Sequence, residues 1–366
     1  MNTTEGHPSP KTTTRQAVPG VTRTVLRIFL GGLIGLLLWL PLLDMVFQVL
    51  PQRESTEKRR LSQAPAFSWK TVTGFPKAFE GFFNDRFGGR NILIRLNNYL
   101  HVQWLGVSPV KSVLVGKEGW LFLTEGINDY RGKAALTKEQ LDLILRAIQE
   151  KKVRLREKGI GLVILVAPSK HTIYPEYLPE GITRLNPKTR LDQILGYLGE
   201  EERAVMVDVR KDLMEGKKDR PVYSKTETHW NAFGAFLAYQ KTIEHLVKRF
   251  PEVSPQAISD YVLSTEPSQG SGDLAVMLSL NGKLEDEEVK MKWKGDRSPQ
   301  KPKIPKAVIF HDSFIDAIRS YLEPHFDQVI FQPWGSGGFE YALIEKEKPE
   351  VVIFEITERR LDALVK

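Results

Sequence analysis

The chain has 366 residues, 41% of them hydrophobic, enough for one large domain or two modest ones with a sizeable core. Its net charge of +7 is scattered, with no Lys/Arg block interleaved with aromatics, which argues against nucleic acid and suits an anionic polymer or lipid. There are no cysteines, so disulfides, thiolate nucleophiles and Cys-ligated metals are excluded.

Residues 1–24 are polar and rich in Thr and Pro, and read as a disordered tail. An apolar and Gly/Pro run follows from Ile28 to Leu43 and continues past Asp44 and Gln48 to Leu50. About 20 apolar residues cross a hydrocarbon core of about 30 Å. The run is apolar on every face, unlike a buried amphipathic helix, and no small-x-small cleavage site follows it. Residues 25–50 are therefore predicted to be a single uncleaved transmembrane helix. Lys11, Arg15, Arg23 and Arg27 precede it and Arg53, Lys58, Arg59 and Arg60 follow, so charge does not orient it. An early single span with a large following domain predicts an inner-membrane protein whose C-terminal domain is extracytoplasmic. Residues 51–68 read as a charged linker, and residues 69–366 as the main domain.

Apolar positions between Phe82 and Trp104 predict helices broken at Gly88-Gly89, and SVLVGKEGWLFL predicts a hairpin. Thr137 and Gln140 form a capping box ahead of a helical stripe that ends near Lys158. Short apolar runs then predict strands at Leu162–Pro168, Ala204–Val209, Ala307–Phe310, Gln328–Gln332 and Val351–Ile356. Amphipathic helices fill the gaps at Leu191–Glu200, Ala232–Phe250 and Phe314–Pro324. Buried strands alternating with helices predict an α/β fold, a mostly parallel sheet covered on both faces. Residues 251–305 break that rhythm and read as an insertion or substrate-side loop.

Ligands of such sheets bind beyond the carboxyl ends of the strands. There HDSF places Ser313 between a strand tip and a helix, where free N–H groups and the helix dipole would stabilise an oxyanion. A plain N-cap role for Asp312 or Ser313 is the competing reading. A serine needs a base, and the base needs an orienting acid. KTETHWNAFGAF offers both, because Glu227 and His229 share a face when the segment is extended. A helix-capping His229 is the alternative. Lys170 and His171 follow a strand at the same sheet edge. Trp230, Tyr174 and Trp334 are candidates for stacking on sugar rings, and Asp208 for a second carboxylate. Glu358-Arg359 reads as an ion pair. The histidines show no metal-ligand spacing and no Gly-rich phosphate loop occurs.

KTETHWNAFGAF resembles the Lys-Thr-Asp-Thr-His-Trp signature of the alginate O-acetylation proteins in the SGNH-hydrolase superfamily. HDSF is similar to their Gly-Asp-Ser-Phe motif. VAPSKHTIYPEYLP, VGKEGWLFL, FFNDRFGGR, SGDLAVMLSL and PEVVIFEITER resemble further blocks, in matching order from about Phe79 to the C-terminus. The resemblance implies an SGNH-like three-layer α/β/α domain facing the periplasm, in the circularly permuted order with the His motif before the serine. It also implies a Ser–His–acid triad of Ser313, His229 and Glu227, transferring acetyl to an exopolysaccharide. No soluble cofactor is implied, and a multispanning membrane-bound O-acyltransferase partner would supply the acetyl. Two positions depart from the pattern. Glu227 stands for aspartate, and His311 stands for glycine, where its ring would crowd the oxyanion site or donate to it. An esterase of the same fold and a non-catalytic polysaccharide-binding scaffold remain alternatives.

Overall fold

A run such as LVILVA has no polar face to turn to water, so it has to be covered on both sides. The computed structural model describes residues 20–47, 61–295, 303–335 and 338–365, and it meets that demand with one parallel sheet. The chain divides into two units, Met1–Ile94 and Arg95–Lys366.

In the first unit, α1 spans Gly20–Phe47 and α2 spans Phe75–Arg86, while α3, Arg90–Leu105, contains the boundary. Among the described residues, α1 is the one helix long and apolar enough to cross a membrane. Its window Thr24–Pro41 has a mean hydropathy of 1.9 and is unburied. The predicted tail up to residue 19, the last residues of the predicted span and residues 51–60 of the predicted linker lie outside the described residues.

In the second unit, β1 (Val113–Val115) and β2 (Leu121–Leu123) form the predicted hairpin, with Val113 opposite Leu123. Then come β3 (Gly161–Ala167), β4 (Met206–Asp208), β5 (Tyr261–Gly270), β6 (Leu284–Trp293), β7 (Ile304–His311), β8 (Phe326–Pro333) and β9 (Val351–Thr357). The central sheet has the order β4-β3-β9-β7-β8, and each neighbouring pair is parallel. Side chains alternate faces along each strand. Val163, Leu165, Ile309 and Ile353 pack toward the helices Ala232–Val247 and Ile315–Leu322. Ile164, Val166, Phe310 and Phe354 pack toward the helices Lys138–Glu157 and Arg190–Tyr197. The capping box forms as predicted: Gln140 N donates to Thr137 Oγ1, and Thr137 N to Gln140 Oε1.

Residues 251–305 contain more order than a loop. β5 and β6 pair antiparallel over ten residues each, from Tyr261 opposite Trp293 to Gly270 opposite Leu284. The charged outer face of β6 hides the strand in the sequence, because only Leu284, Asp286 and Val289 are buried. A third core cluster joins the β1–β2 hairpin to the short helix Asp273–Met277 through Val115, Leu121, Leu274 and Leu278.

Candidate active site

β7 lies between β9 and β8 and ends at His311, which puts Ser313 at the carboxyl rim, exposed, just ahead of the helix Ile315–Leu322. Asp312 fixes the turn. Its Oδ1 accepts from Phe314 N at 3.0 Å, and its Oδ2 accepts from Thr357 N at 3.1 Å and Thr357 Oγ1 at 2.8 Å. Asp312 N donates to Glu355 Oε2 at 2.9 Å. Asp312, which the sequence also offers as a candidate for substrate or oxyanion contact, thus has both oxygens engaged in the turn. Glu355 is fully buried within β9, and burial followed by the neighbouring Asp312 charge pushes its carboxyl well above the usual range.

The segment bearing His229 is a loop outside the sheet, closed by a bridge between Tyr223 and Trp230. Asn231, rather than His229, caps the helix Ala232–Val247, accepting from Phe233 N and Gly234 N. His229 is left free for other work. Its Nδ1 lies 2.6 Å from Glu227 Oε1, and its Nε2 lies 2.7 Å from Ser313 Oγ. An ionised carboxylate only accepts, so Nδ1 carries the proton and Nε2 is open to accept from the serine hydroxyl. Burial by itself would raise the Glu227 carboxyl. Hydrogen bonds from the His229 ring and from Asp273 N outweigh it and hold the group at about 2. Asp273 shifts the opposite way, raised by burial and by the Glu227 charge. The two carboxyl groups therefore divide their roles, with Glu227 kept anionic beside the imidazole.

Three side chains from distant elements hold this loop. Asp286 of β6 accepts from Lys225 N at 2.8 Å, Thr226 N at 2.9 Å and Thr226 Oγ1 at 2.6 Å. Asp273 accepts from Thr228 N at 2.8 Å and Thr228 Oγ1 at 2.5 Å, and its own N–H donates to Glu227 Oε2 at 3.0 Å. Lys170 donates to the carbonyls of Leu121, Lys225 and Glu227, each at 2.8 Å. Burial lowers its ammonium to about 7. Gly272 makes the approach possible: a Cβ there would stand 2.4 Å from Thr226 O and 2.7 Å from Glu227 Cα. Trp230 closes the link to the other side, its Nε1 donating to Phe314 O at 3.0 Å.

The structure brings Glu227, His229 and Ser313 together and gives the other candidates different places. Lys170 and His171 are buried behind the loop. His171 Nε2 donates to Leu123 O at 2.7 Å, and burial lowers its ring to about 4. His311 turns inward. Its Nδ1 donates to Asp312 O at 2.8 Å and its ring centroid lies 6.0 Å from that of Phe331. Trp230, Tyr174 and Trp334 are each at most 5% exposed, which leaves no ring face for a sugar. Tyr174 Oη accepts from Val222 N, and Trp334 Nε1 donates to Glu355 O. Asp208 is held by Arg210 at 2.7 Å. Glu358 pairs elsewhere than expected: its Oε2 accepts from Ser169 N and Thr172 Oγ1, while Arg359 meets Glu125 at 3.4 Å.

Sequence reasoning missed Asp273, Asp286, Glu355 and Thr357. A carboxylate inside the apolar run VVIFEI was the one visible flag, for Glu355. Glu227, His229 and Asp273 also offer ligand atoms within 4.8 Å of one another. A cation there would have to displace the His229–Glu227 and Thr228–Asp273 contacts.

A five-stranded parallel sheet, with a serine after one strand and an acid–histidine pair meeting it at the rim, is consistent with the SGNH hydrolase-like class of α/β proteins. Residues 113–312 match the family described as SGNH hydrolase-like domain, acetyltransferase AlgX, and the chain belongs to that family. Curated relatives include a probable alginate O-acetylase AlgJ of Pseudomonas putida, 28% identical over 46% of this chain and 43% of that protein. Another, also called probable alginate O-acetylase AlgJ, from Pseudomonas aeruginosa, is 30% identical over 36% of this chain and 32% of that protein. These matches span less than half the length of those relatives. Among solved structures, PatB1 of Bacillus cereus superposes with a TM-score of 0.50 at 17% identity, covering 69% of this chain and 98% of that one, a likeness of fold.

Proposed function

We propose that the chain transfers acetyl groups to hydroxyls of an extracytoplasmic polysaccharide through an acyl-enzyme on Ser313. The observation that carries this reading is the unbroken line from Glu227 through His229 to Ser313, at 2.6 and 2.7 Å. Ser313 Oγ attacks the acetyl carbonyl as its proton passes to His229 Nε2. Glu227 holds Nδ1–H and stabilises the imidazolium. Among backbone donors, the N–H of Asp312 is committed to Glu355 and that of Phe314 to Asp312. Ser313's own N–H is therefore the donor assigned to the tetrahedral oxyanion. Collapse of that intermediate expels the donor's leaving group, which takes the proton from His229. In the second half, His229 removes a proton from the sugar hydroxyl, which attacks the acyl carbon, and Ser313 leaves with that proton.

Family membership and the relatives named alginate O-acetylase support acetyl transfer and a uronate polymer as acceptor. The apolar helix α1 supports a single membrane anchor, and the reading takes that membrane as the inner one and puts the second unit on its periplasmic side, as expected for an early span followed by a large domain. Acetyl-CoA does not reach that side, so a multispanning membrane-bound O-acyltransferase partner would supply the acetyl group.

Ser313 is exposed, so water competes with sugar for the acyl-enzyme. The test is to incubate the protein with an activated acetyl ester, with and without alginate oligomers, and to measure free acetate and acetylated oligomer. Transfer predicts that the acceptor diverts most acetyl from acetate to sugar. Acetate release unchanged by the acceptor would make the protein an esterase.

A further inference from the structure

We propose that the aromatic face of α2 lies in the lipid headgroup layer beside the anchor, holding the start of the periplasmic part against the bilayer. This rests on the reading of α1 as a membrane span. The rings of Trp69, Phe67, Phe75, Phe79, Phe83 and Phe87 form one continuous ridge, with successive centroids 5.3 to 6.4 Å apart. The i, i+4 spacing of Phe75, Phe79, Phe83 and Phe87 produces the helical part of that ridge. No residue of α2 is buried, and Trp69, Phe67 and Phe79 are 82%, 56% and 45% exposed. A contiguous apolar surface of this kind calls for an occupant.

The position of the ridge names the occupant. At its end, Gly88 N donates to Pro41 O at 3.2 Å and Gly89 N to Asp44 Oδ2 at 3.0 Å. A Cβ at Gly88 would stand 2.4 Å from Pro41 O, so the turn lies directly on the backbone of α1. Pro41 closes the apolar window of α1, and Asp44 is the first charge after it. The α2–α3 turn therefore sits at the level where the span leaves hydrocarbon. The twelve residues of α2 extend about 18 Å from that point. Trp69 suits this interfacial depth, and a helix lying in the interface buries Phe rings at the boundary of headgroups and acyl chains. Lys70, Lys77 and Arg86 are exposed around the ridge and suit anionic headgroups, against Glu80 as the exposed acid among the described residues there. Asp85 is turned to Ser62, accepting from its N–H and its hydroxyl at 2.8 Å.

The absence of native cysteine makes the test clean. The full chain is reconstituted in phosphatidylglycerol-containing vesicles as Phe79→Cys and, separately, Trp69→Cys, each labelled with an environment-sensitive fluorophore. Leu36→Cys reports the span, and Val262→Cys, exposed on β5, reports water. The proposal expects blue-shifted emission at Phe79 and Trp69, quenching by shallow spin-labelled lipid, and several-fold weaker iodide quenching than at Val262. Iodide-accessible probes at both ridge positions, with Leu36 quenched by deep spin label, would overturn the ridge and leave the anchor standing. Probes shielded from lipid and iodide alike would overturn it in favour of a protein surface covering the ridge. A Leu36 probe unquenched by lipid would overturn the anchor itself, and the proposal with it.

Discussion

Ser313 and His229 meet at 2.7 Å, yet they reach that point by different routes. Ser313 follows directly on β7, which pairs with β8 and β9 by backbone hydrogen bonds along most of its length. One side chain, Asp312, then locks its turn onto β9. His229 sits on a loop outside the sheet, carried by Asp286, Asp273 and Lys170 from three other parts of the chain. Ser313, the proposed nucleophile, is thus placed by the fold, and His229, the proposed base, by a polar clamp. Fold-level placement tolerates loss of a side-chain contact, because the strand register survives it. A clamp does not, since each partner it loses leaves another buried polar group unsatisfied.

The largest effects should come where both routes converge. Ser313→Ala and His229→Ala should each lower kcat by at least about 1,000-fold with folding intact. Glu227→Gln should lower it about 100- to 10,000-fold, because an amide cannot stabilise the imidazolium. Wild-type turnover in the Gln variant, measured by acetyl release, would remove Glu227 from the chemistry.

The next effects separate the two sides. Gly272→Ala drives a methyl group into the Thr226–Glu227 backbone and should cost about 100-fold in kcat, through misplacement of the acid. Thr228→Val and Thr357→Val make a matched pair, each removing one hydroxyl bond to an aspartate, worth about 1 kcal/mol. Thr228→Val should lower kcat about tenfold, and Thr357→Val should lower Tm while kcat stays within about twofold. Equal kinetic losses in the pair would erase the proposed asymmetry.

The same asymmetry explains what the sequence discloses. The strands of the central sheet, the β1–β2 hairpin, the capped helix at Thr137 and the Ser313 turn are local patterns, and periodicity reveals them, whereas β5 and β6 escape it. His229 and Glu227 are two residues apart, so their shared face is also local. The clamp is not local. Asp273 and Asp286 lie 45 and 60 residues from the threonines they hold; SGDLAVMLSL stands out only as a family-like block that says nothing of Asp273's partner, and nothing in LEDEEV distinguishes Asp286 from a solvated acid. Lys170 looked like a rim residue because it follows a strand. Its three carbonyl partners appear only when the hairpin, through Leu121, and the His229 loop, through Lys225 and Glu227, fold over it. Trp230, Tyr174 and Trp334 carry ring chemistry suited to sugars, and burial decides against that use.

The smallest effect is a pH response. Burial lowers His171 from 6.5 to about 4, so the folded chain keeps this ring neutral where the unfolded chain protonates it. The unfolded state then binds the extra proton between pH 6.5 and about 4, and stability falls as pH drops through that window. His171 holds Leu123 of the hairpin that Lys170 also grips, so the base side should loosen first. Hydrogen exchange, corrected for its intrinsic pH dependence, should quicken in β1 and β2 before β7 and β9. His171→Gln should remove the early loosening of β1 and β2 and leave the part owed to His245 and His325, which burial also lowers to about 4; simultaneous loosening of all four strands in the unsubstituted chain would contradict the prediction.

The central claim is that His229 makes Ser313 a nucleophile for acyl groups. The direct measurement is to expose the protein briefly to an activated acetyl ester, quench in acid and locate the acetyl group by peptide mass spectrometry. An acetyl adduct on Ser313, abolished in His229→Ala, is the predicted result. No adduct on Ser313, or one that forms equally without His229, would contradict it.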